Sequence, residues 1–213
     1  MQQISEKQRR PAPGTRCQPL AFDGKLLWTA SLDSQQIYAM DAKTGATVET
    51  SPCPGKPYGL AILGDEIHAV ISIGEADDRY FFRYIAGRGF DLDSKVPCPQ
   101  TTGSHFTSDG TSLYLVQMHN QRLLVLDSGY SVQREIPLST RLGGLGFKQN
   151  DLHVITADEE FDNLALARLD LNAKEAPITT IAQISAEARS LAYDGSAWWT
   201  NYREENELVS FSL

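Results

Sequence analysis

The sequence predicts an all-β chain, a five-bladed β-propeller of four-stranded antiparallel blades, the last blade closed by the N-terminal strand. Three observations carry that expectation. A strand–turn–strand pattern recurs five times. Its spacing is the length of one four-stranded blade. The residues left over at the two termini amount to one more repeat.

The recurring segments are Pro19-Leu20-Ala21-Phe22-Asp23-Gly24, Gly59-Leu60-Ala61-Ile62-Leu63-Gly64, His105-Phe106-Thr107-Ser108-Asp109-Gly110, Gly144-Leu145-Gly146-Phe147 and Ser190-Leu191-Ala192-Tyr193-Asp194-Gly195. Their anchors, Leu20, Leu60, Phe106, Leu145 and Leu191, are separated by 40, 46, 39 and 46 residues. Beyond Leu191 the chain runs 22 residues, and 20 more lead up to Leu20, together the length of one repeat. The reading is therefore a single domain, residues 1–213, with blade 5 split between residues 1–16 and 188–213. Pro11-Ala12-Pro13-Gly14 resembles Pro52-Cys53-Pro54-Gly55 at the end of the first unit, and Gln3-Ile4-Ser5-Glu6-Lys7 is expected to supply the missing strand. Such closure protects an open sheet edge.

Each unit reads as four strands. The anchor strand comes first. After an Asp-Gly type turn follows a second, such as Leu27-Trp28-Thr29-Ala30-Ser31 or Trp198-Trp199-Thr200-Asn201-Tyr202. The third includes Ile37-Tyr38-Ala39-Met40-Asp41 and Leu123-Leu124-Val125-Leu126-Asp127, and the fourth is short and polar, as in Val132-Gln133-Arg134-Glu135-Ile136. Glycine in these turns accepts positive φ. No stretch holds a long helical period.

Composition narrows the partners. The chain has 27 acidic and 19 basic residues, a net charge of −8, so phosphate-rich surfaces are repelled and neither nucleic acid nor membrane is an expected partner. No run approaches the length of a transmembrane helix, and the first residues lack an apolar signal core. A cytoplasmic monomer is expected, or a secreted one if a signal has been removed. Cys17, Cys53 and Cys98 are odd in number and lack metal-ligand spacing, which points to reduced thiols, no metal and no cofactor.

The repeat also separates scaffold from site. Trp28, His68, Tyr114, His153 and Trp199 share one column of the second strands, so the two histidines read as packing aromatics. Asp41, Asp127 and Asp170 end third strands and read as turn acceptors. Cys53 and Cys98 recur in Pro-Cys-Pro turns, with no histidine near them in sequence. The acidic loops around Asp77, Asp158 and Glu204 lack the pattern of a calcium loop. The glycine runs at 87–89 and 143–146 open no helix and read as turns rather than phosphate cradles.

In a propeller the fourth-to-first connections and second-to-third loops meet at one channel mouth. Four cations, Arg16, Lys56, Arg141 and Arg189, approach it in this acidic protein. Local positive potential suits an anionic or carboxylate-bearing ligand. The residues expected to bind a small molecule or peptide there are Gln18, Tyr58, Ser104, His105, Gln117, His119, Arg141, Arg189 and Tyr202. His105 and His119 stand outside the repeated aromatic column, and His105 is the candidate acid–base catalyst.

The stretch Gln18-Pro19-Leu20-Ala21-Phe22-Asp23-Gly24, continuing to Asp41-Ala42-Lys43-Thr44-Gly45, resembles the five-bladed glutamine cyclotransferase (glutaminyl cyclase) family, and more loosely NHL-type and streptogramin-lyase propellers. Gln18 and Leu20 match that family's Thr-Gln-Gly-Leu element; Leu191-Ala192-Tyr193-Asp194, Trp198 and Thr200 look like its last blade. The resemblance implies cyclisation of N-terminal glutamine, which needs proton transfer. Two acids of the pattern are replaced here. Thr29 stands for the glutamate of Tyr-Glu-Ser-Thr, and Gly103-Ser104-His105-Phe106 replaces Gly-Glu-Gly-Leu. Two functions are therefore expected to compete: a ligand-binding propeller without chemistry, and a cyclase- or lyase-like enzyme using His105 as acid–base with Arg189 clamping a carboxylate or oxyanion.

Overall fold

The structure is a computed structural model that describes residues 1–173 and 175–213. It contains five four-stranded antiparallel sheets. Blade 1 is β2 (Cys17–Phe22), β3 (Leu26–Ser31), β4 (Gln36–Asp41) and β5 (Thr47–Pro52). Blade 2 is β6 (Lys56–Leu63), β7 (Glu66–Ile73), β8 (Asp78–Ile85) and β9 (Gly89–Pro97). Blade 3 is β10 (Phe106–Ser108), β11 (Leu113–Gln117), β12 (Arg122–Leu126) and β13 (Val132–Pro137), and blade 4 is β14 (Arg141–Lys148), β15 (Asp151–Ala157), β16 (Leu164–Leu169) and β17 (Ile178–Ile184). Blade 5 combines β18 (Ala188–Tyr193), β19 (Trp198–Tyr202) and β20 (Glu207–Ser212) with β1 (Ser5–Pro11).

The N-terminal strand closes the ring as expected, with Ser5 opposite Ser212 and Pro11 opposite Glu207. It lies further along the chain than residues 3–7. The reason is local: the Gln2 N–H donates to the Ile181 carbonyl of blade 4, so the first residues lean on the neighbouring blade. Pro11 then ends β1 as Pro52 ends β5, and Ala12 and Cys53 donate equivalent backbone bonds to Asn206 and Gln35.

The inner strands β2, β6, β10, β14 and β18 pack side by side around the axis. Among the described residues the core divides into five clusters, each filling one gap between neighbouring blades. A sheet alone cannot bury two faces; wedged between two others it can. All five anchors are buried. Glycine enters where inner strands touch: a Cβ at Gly144 would lie 2.6 Å from Ser190 Cα, and one at Gly59 would lie 2.6 Å from Phe106 Cβ. The glycine run at 143–146 thus serves close packing.

The aromatic column is structural. Trp28, His68, Tyr114, His153 and Trp199 face Ala21, Ala61, Thr107, Gly146 and Ala192 across the first two strands of their blades. Where the preceding turn carries Asp-Gly, its carboxylate caps the turn backbone and also takes the aromatic donor: Trp28 Nε1 to Asp23 at 2.6 Å, Tyr114 Oη to Asp109 at 2.7 Å and Trp199 Nε1 to Asp194 at 2.7 Å. Blades 2 and 4 lack that Asp-Gly and hold histidine instead. His68 Nδ1 lies 2.6 Å from Tyr130 Oη, and His153 Nδ1 lies 3.2 Å from the Asp151 carbonyl. Asp41, Asp127 and Asp170 each accept turn N–H groups, as their position at strand ends requires.

The three thiols are free and buried. Burial pushes Cys17 up to about 11 and Cys53 up to about 12, and moves Cys98 in the same direction, so all three stay protonated and unreactive near neutrality. No helix among the described residues is long and apolar enough to cross a membrane.

Candidate functional site

At the level of the anchors the axis holds a void of only about 10 Å³, a constriction among Leu20, Leu60, Phe106 and Leu145. Above that constriction opens a cavity of about 430 Å³ at the mouth. Counting back from each anchor explains its walls. Two residues before the anchors stand Gln18, Tyr58, Ser104, Gly143 and Arg189. Four of the five line the cavity; the fifth is a glycine. A Cβ at Gly143 would lie 3.7 Å from the Phe161 ring, and that ring lines the cavity on this side.

One residue before the anchors stand Pro19, Gly59, His105, Gly144 and Ser190. Only His105 carries a large side chain, and it reaches both the mouth cavity and the constriction. It forms the floor. His105 is 6% exposed, and no described group hydrogen-bonds its ring nitrogens. Burial, with Arg189 and Arg203 nearby, pulls its pKa down to about 4, so the imidazole is neutral at pH 7.

The mouth is cationic. Arg79, Arg189 and Arg203 line it, and none of its twelve described lining residues is Asp or Glu. Two of these guanidiniums are held. Arg79 pairs with Asp77 at 2.6 Å, donates to the Gly103 carbonyl at 3.1 Å and sits 3.7 Å over the Tyr58 ring. Arg203 pairs with Glu204 at 2.9 Å and donates to Gln18 Oε1 at 3.0 Å. Arg189 differs. Its Nη1 donates to the carbonyls of Ala186 and Ala188, and no described group takes its Nε or Nη2. Burial and the like charge of Arg203 lower its pKa, opposed by Glu187 and Glu204.

Phe161 is held in an unusual backbone state. Each second-to-third turn carries one non-glycine residue at positive φ: Gln35 at 51°, Asp77 at 59°, Gln121 at 47°, Phe161 at 61° and Asn206 at 57°. Four of the five are polar residues; a bulky aromatic there is strained. Its ring faces two guanidiniums, Arg189 at 5.4 Å and Arg141 at 5.9 Å.

The structure brings Gln18, Tyr58, Ser104, His105, His119 and Arg189 to this cavity. It does not bring Gln117, Arg141 or Tyr202 to its lining. Gln117 is fully buried behind the wall, its Nε2 donating to the Thr102 carbonyl at 2.8 Å and its Oε1 accepting from Arg122 at 2.6 Å. Arg141 stands further out, behind Phe161, donating to the Glu159 carbonyl at 2.9 Å. Tyr202 packs outward under Arg9, 5.1 Å from the ring centroid. Of the other two cations, Arg16 pairs with Asp33 at 3.4 Å, and Lys56 sits at the same outer level as Arg141, four residues before its anchor.

Met118, Phe161 and Arg203 also line the cavity. All three come from second-to-third turns. The sequence signal for Phe161 is an aromatic residue alone among four acidic neighbours, Asp158-Glu159-Glu160-Phe161-Asp162. At the position where the resemblance calls for a glutamate, Thr29 is buried and donates to the Pro19 carbonyl at 2.9 Å. Asp158 likewise accepts from its own loop, at Asp162 N and Asn163 Nδ2. No cluster of three metal-ligating side chains occurs among the described residues.

No family model and no curated protein sequence matches the chain. Solved structures share its architecture. Glutaminyl cyclase from Myxococcus xanthus superposes with a TM-score of 0.75 at 10% identity, covering 98% of this chain and 95% of that one. A streptogramin B lyase gives 0.51 at 9% identity over 99% and 97% of the two chains. A catalytically inactive virginiamycin B lyase from Staphylococcus aureus, solved with quinupristin, gives 0.53 at 12% identity over 99% and 100%. At these identities the likeness is one of fold: this chain is an all-β, five-bladed propeller similar in architecture to a glutaminyl cyclase.

Proposed function

We propose that the chain binds a small organic anion, or the carboxylate end of a peptide, at the channel mouth. One observation carries this reading: a concave site with three guanidiniums and no acidic lining residue, in a protein of net charge −8. Half-buried Arg189 offers an open Nε/Nη2 edge, the geometry that receives a carboxylate in a bidentate pair. His105 and Ser104 supply neutral polar groups beside it, and Tyr58 and Phe161 supply aromatic walls. Such a mix of apolar walls and a few fixed polar groups suits a small-molecule pocket. The test is a thermal-shift screen of carboxylates, phosphate esters and amines with wild-type and Arg189→Gln protein. Stabilisation by carboxylates that disappears in the variant supports the reading. Stabilisation by amines alone overturns it.

A second reading, an enzyme of the glutaminyl-cyclase type, draws on the superposition with the Myxococcus protein and on His105 at the floor. With a pKa near 4, His105 is a weak acceptor of protons at neutral pH. The cavity offers no carboxylate to share the transfer. Turnover of a glutaminyl peptide that is lost in His105→Ala would establish this reading over the first.

A further inference from the structure

We infer that the mouth selects carboxylic acids whose neighbouring group is neutral, such as a hydroxyl or an acylated amine, and rejects acids that carry a free ammonium. The inference rests on the anion-binding reading and names the class of molecule within it.

Charge comes first. A zwitterion anchored on Arg189 would bring its ammonium into a cavity that already holds Arg79 and Arg203. An ammonium placed beside guanidiniums is best compensated by an anion. No Asp or Glu is among the described lining residues. The nearby acids Asp77 and Glu204 lie outside the lining and are already paired with Arg79 and Arg203. The aromatic rings already have cationic neighbours: Arg79 lies 3.7 Å over Tyr58, and Arg189 and Arg141 lie 5.4 and 5.9 Å from Phe161.

Hydrogen bonding points the same way. His105 is more than nine-tenths buried, lines the cavity and has no described hydrogen-bond partner. Its ring nitrogens are not among the sealed polar atoms of the core, so they open to the cavity and can be reached by what binds there. A neutral imidazole offers one N–H and one lone pair. A hydroxyl or an amide can use either. An ammonium could use only the lone pair, and would bring a like charge beside Arg189.

Four matched probes test this by calorimetry at pH 7: L-phenyllactate, N-acetyl-L-phenylalanine, 3-phenylpropionate and L-phenylalanine. Phenyllactate and the acetylated acid are expected to bind, and phenylalanine at least about tenfold more weakly, the scale of one lost charge-compensating contact. Raising the pH to about 10, where α-amines are neutral, should narrow that gap. Phenyllactate should also bind more tightly than phenylpropionate, and His105→Phe should erase that difference. If His105→Phe fails to fold, the wild-type comparison of the two acids still decides the hydroxyl contact. Phenylalanine binding as tightly as phenyllactate, in an Arg189-dependent way, or phenyllactate binding no better than phenylpropionate, overturns the inference and leaves the anion site standing. If none of the four binds with Arg189 dependence, the anion site itself falls, and the inference with it.

Discussion

The two ends of the channel are built by opposite rules. Below the constriction, Phe22, Ile62, Phe147 and Tyr193 surround a narrow space of about 100 Å³, and the turns around it repeat the same device of a carboxylate capping its own turn and holding an aromatic donor. Above the constriction the column two residues before the anchors holds five different residues: Gln18, Tyr58, Ser104, Gly143 and Arg189. The repeated end holds the blades together. The varied end carries the open guanidinium and the unpaired imidazole. In a repeat fold, then, departure from the repeat marks the candidate site more reliably than residue type does. In His68 and His153, which belong to the repeat, Nδ1 has a protein partner; His105 breaks the column of Pro19, Gly59, Gly144 and Ser190, and no described group hydrogen-bonds its ring.

The largest expected effect breaks the repeated end. Trp28 is fully buried between blades 1 and 2, so Trp28→Ala should destabilise the protein by roughly 3–5 kcal/mol in chemical denaturation. Carboxylate affinity should change little in whatever fraction remains folded.

Next in size is pH. The folded pKa of His105 is depressed to about 4, and burial depresses His68 and His153 as well. A lowered pKa means the unfolded chain binds protons first. Stability from these groups is therefore full above about pH 6.5 and is lost as pH falls toward 4. The share from His105 alone is of order 3 kcal/mol across that window, because each tenfold loss of proton affinity on folding is worth about 1.4 kcal/mol. Denaturation midpoints measured from pH 7 to pH 4 should fall less steeply in His105→Gln than in wild type. An equal slope would mean that the imidazole is not buried neutral.

Arg189→Gln should weaken carboxylate binding about tenfold or more while leaving the unliganded melting temperature unchanged or slightly higher, because the charge removed is half-buried beside Arg203. A drop in unliganded stability without a loss of affinity would make Arg189 part of the frame.

The smallest effect sharpens the comparison most. Phe161→Gly removes an aromatic side chain from a positive-φ position and should gain roughly 1 kcal/mol of backbone strain relief, partly offset by the lost ring packing. Affinity should fall at the same time. A variant that is no less stable yet binds more weakly identifies strain kept for the site.

The fold was legible because it is periodic. Five anchors at near-equal spacing and two terminal pieces that complete each other survive irregular loops, and burial selects the same residue types in every blade. The walls of the site were partly legible for the same reason: counting back from the anchors reaches Gln18, Tyr58, Ser104, His105 and Arg189. Parity separates the expected residues from the cavity lining. At the ends of β11 and β19 the sequence pattern points to Gln117 and Tyr202, whereas the next residues, Met118 and Arg203, line the cavity. A shift of one residue along a strand exchanges one face for the other. Depth separates Arg141 from the cavity lining, since it lies four residues before its anchor and Arg189 only two. Phe161 sits in a turn, where no periodicity points at a side chain.

A crystal of the protein soaked with L-phenyllactate tests the central claim most directly. The account predicts density in the mouth cavity, with the carboxylate on Arg189 Nε and Nη2 and the hydroxyl on the His105 ring. Density in the groove between blades 1 and 5, near Lys7, Lys25 and Lys43, with the mouth filled only by solvent, would contradict it.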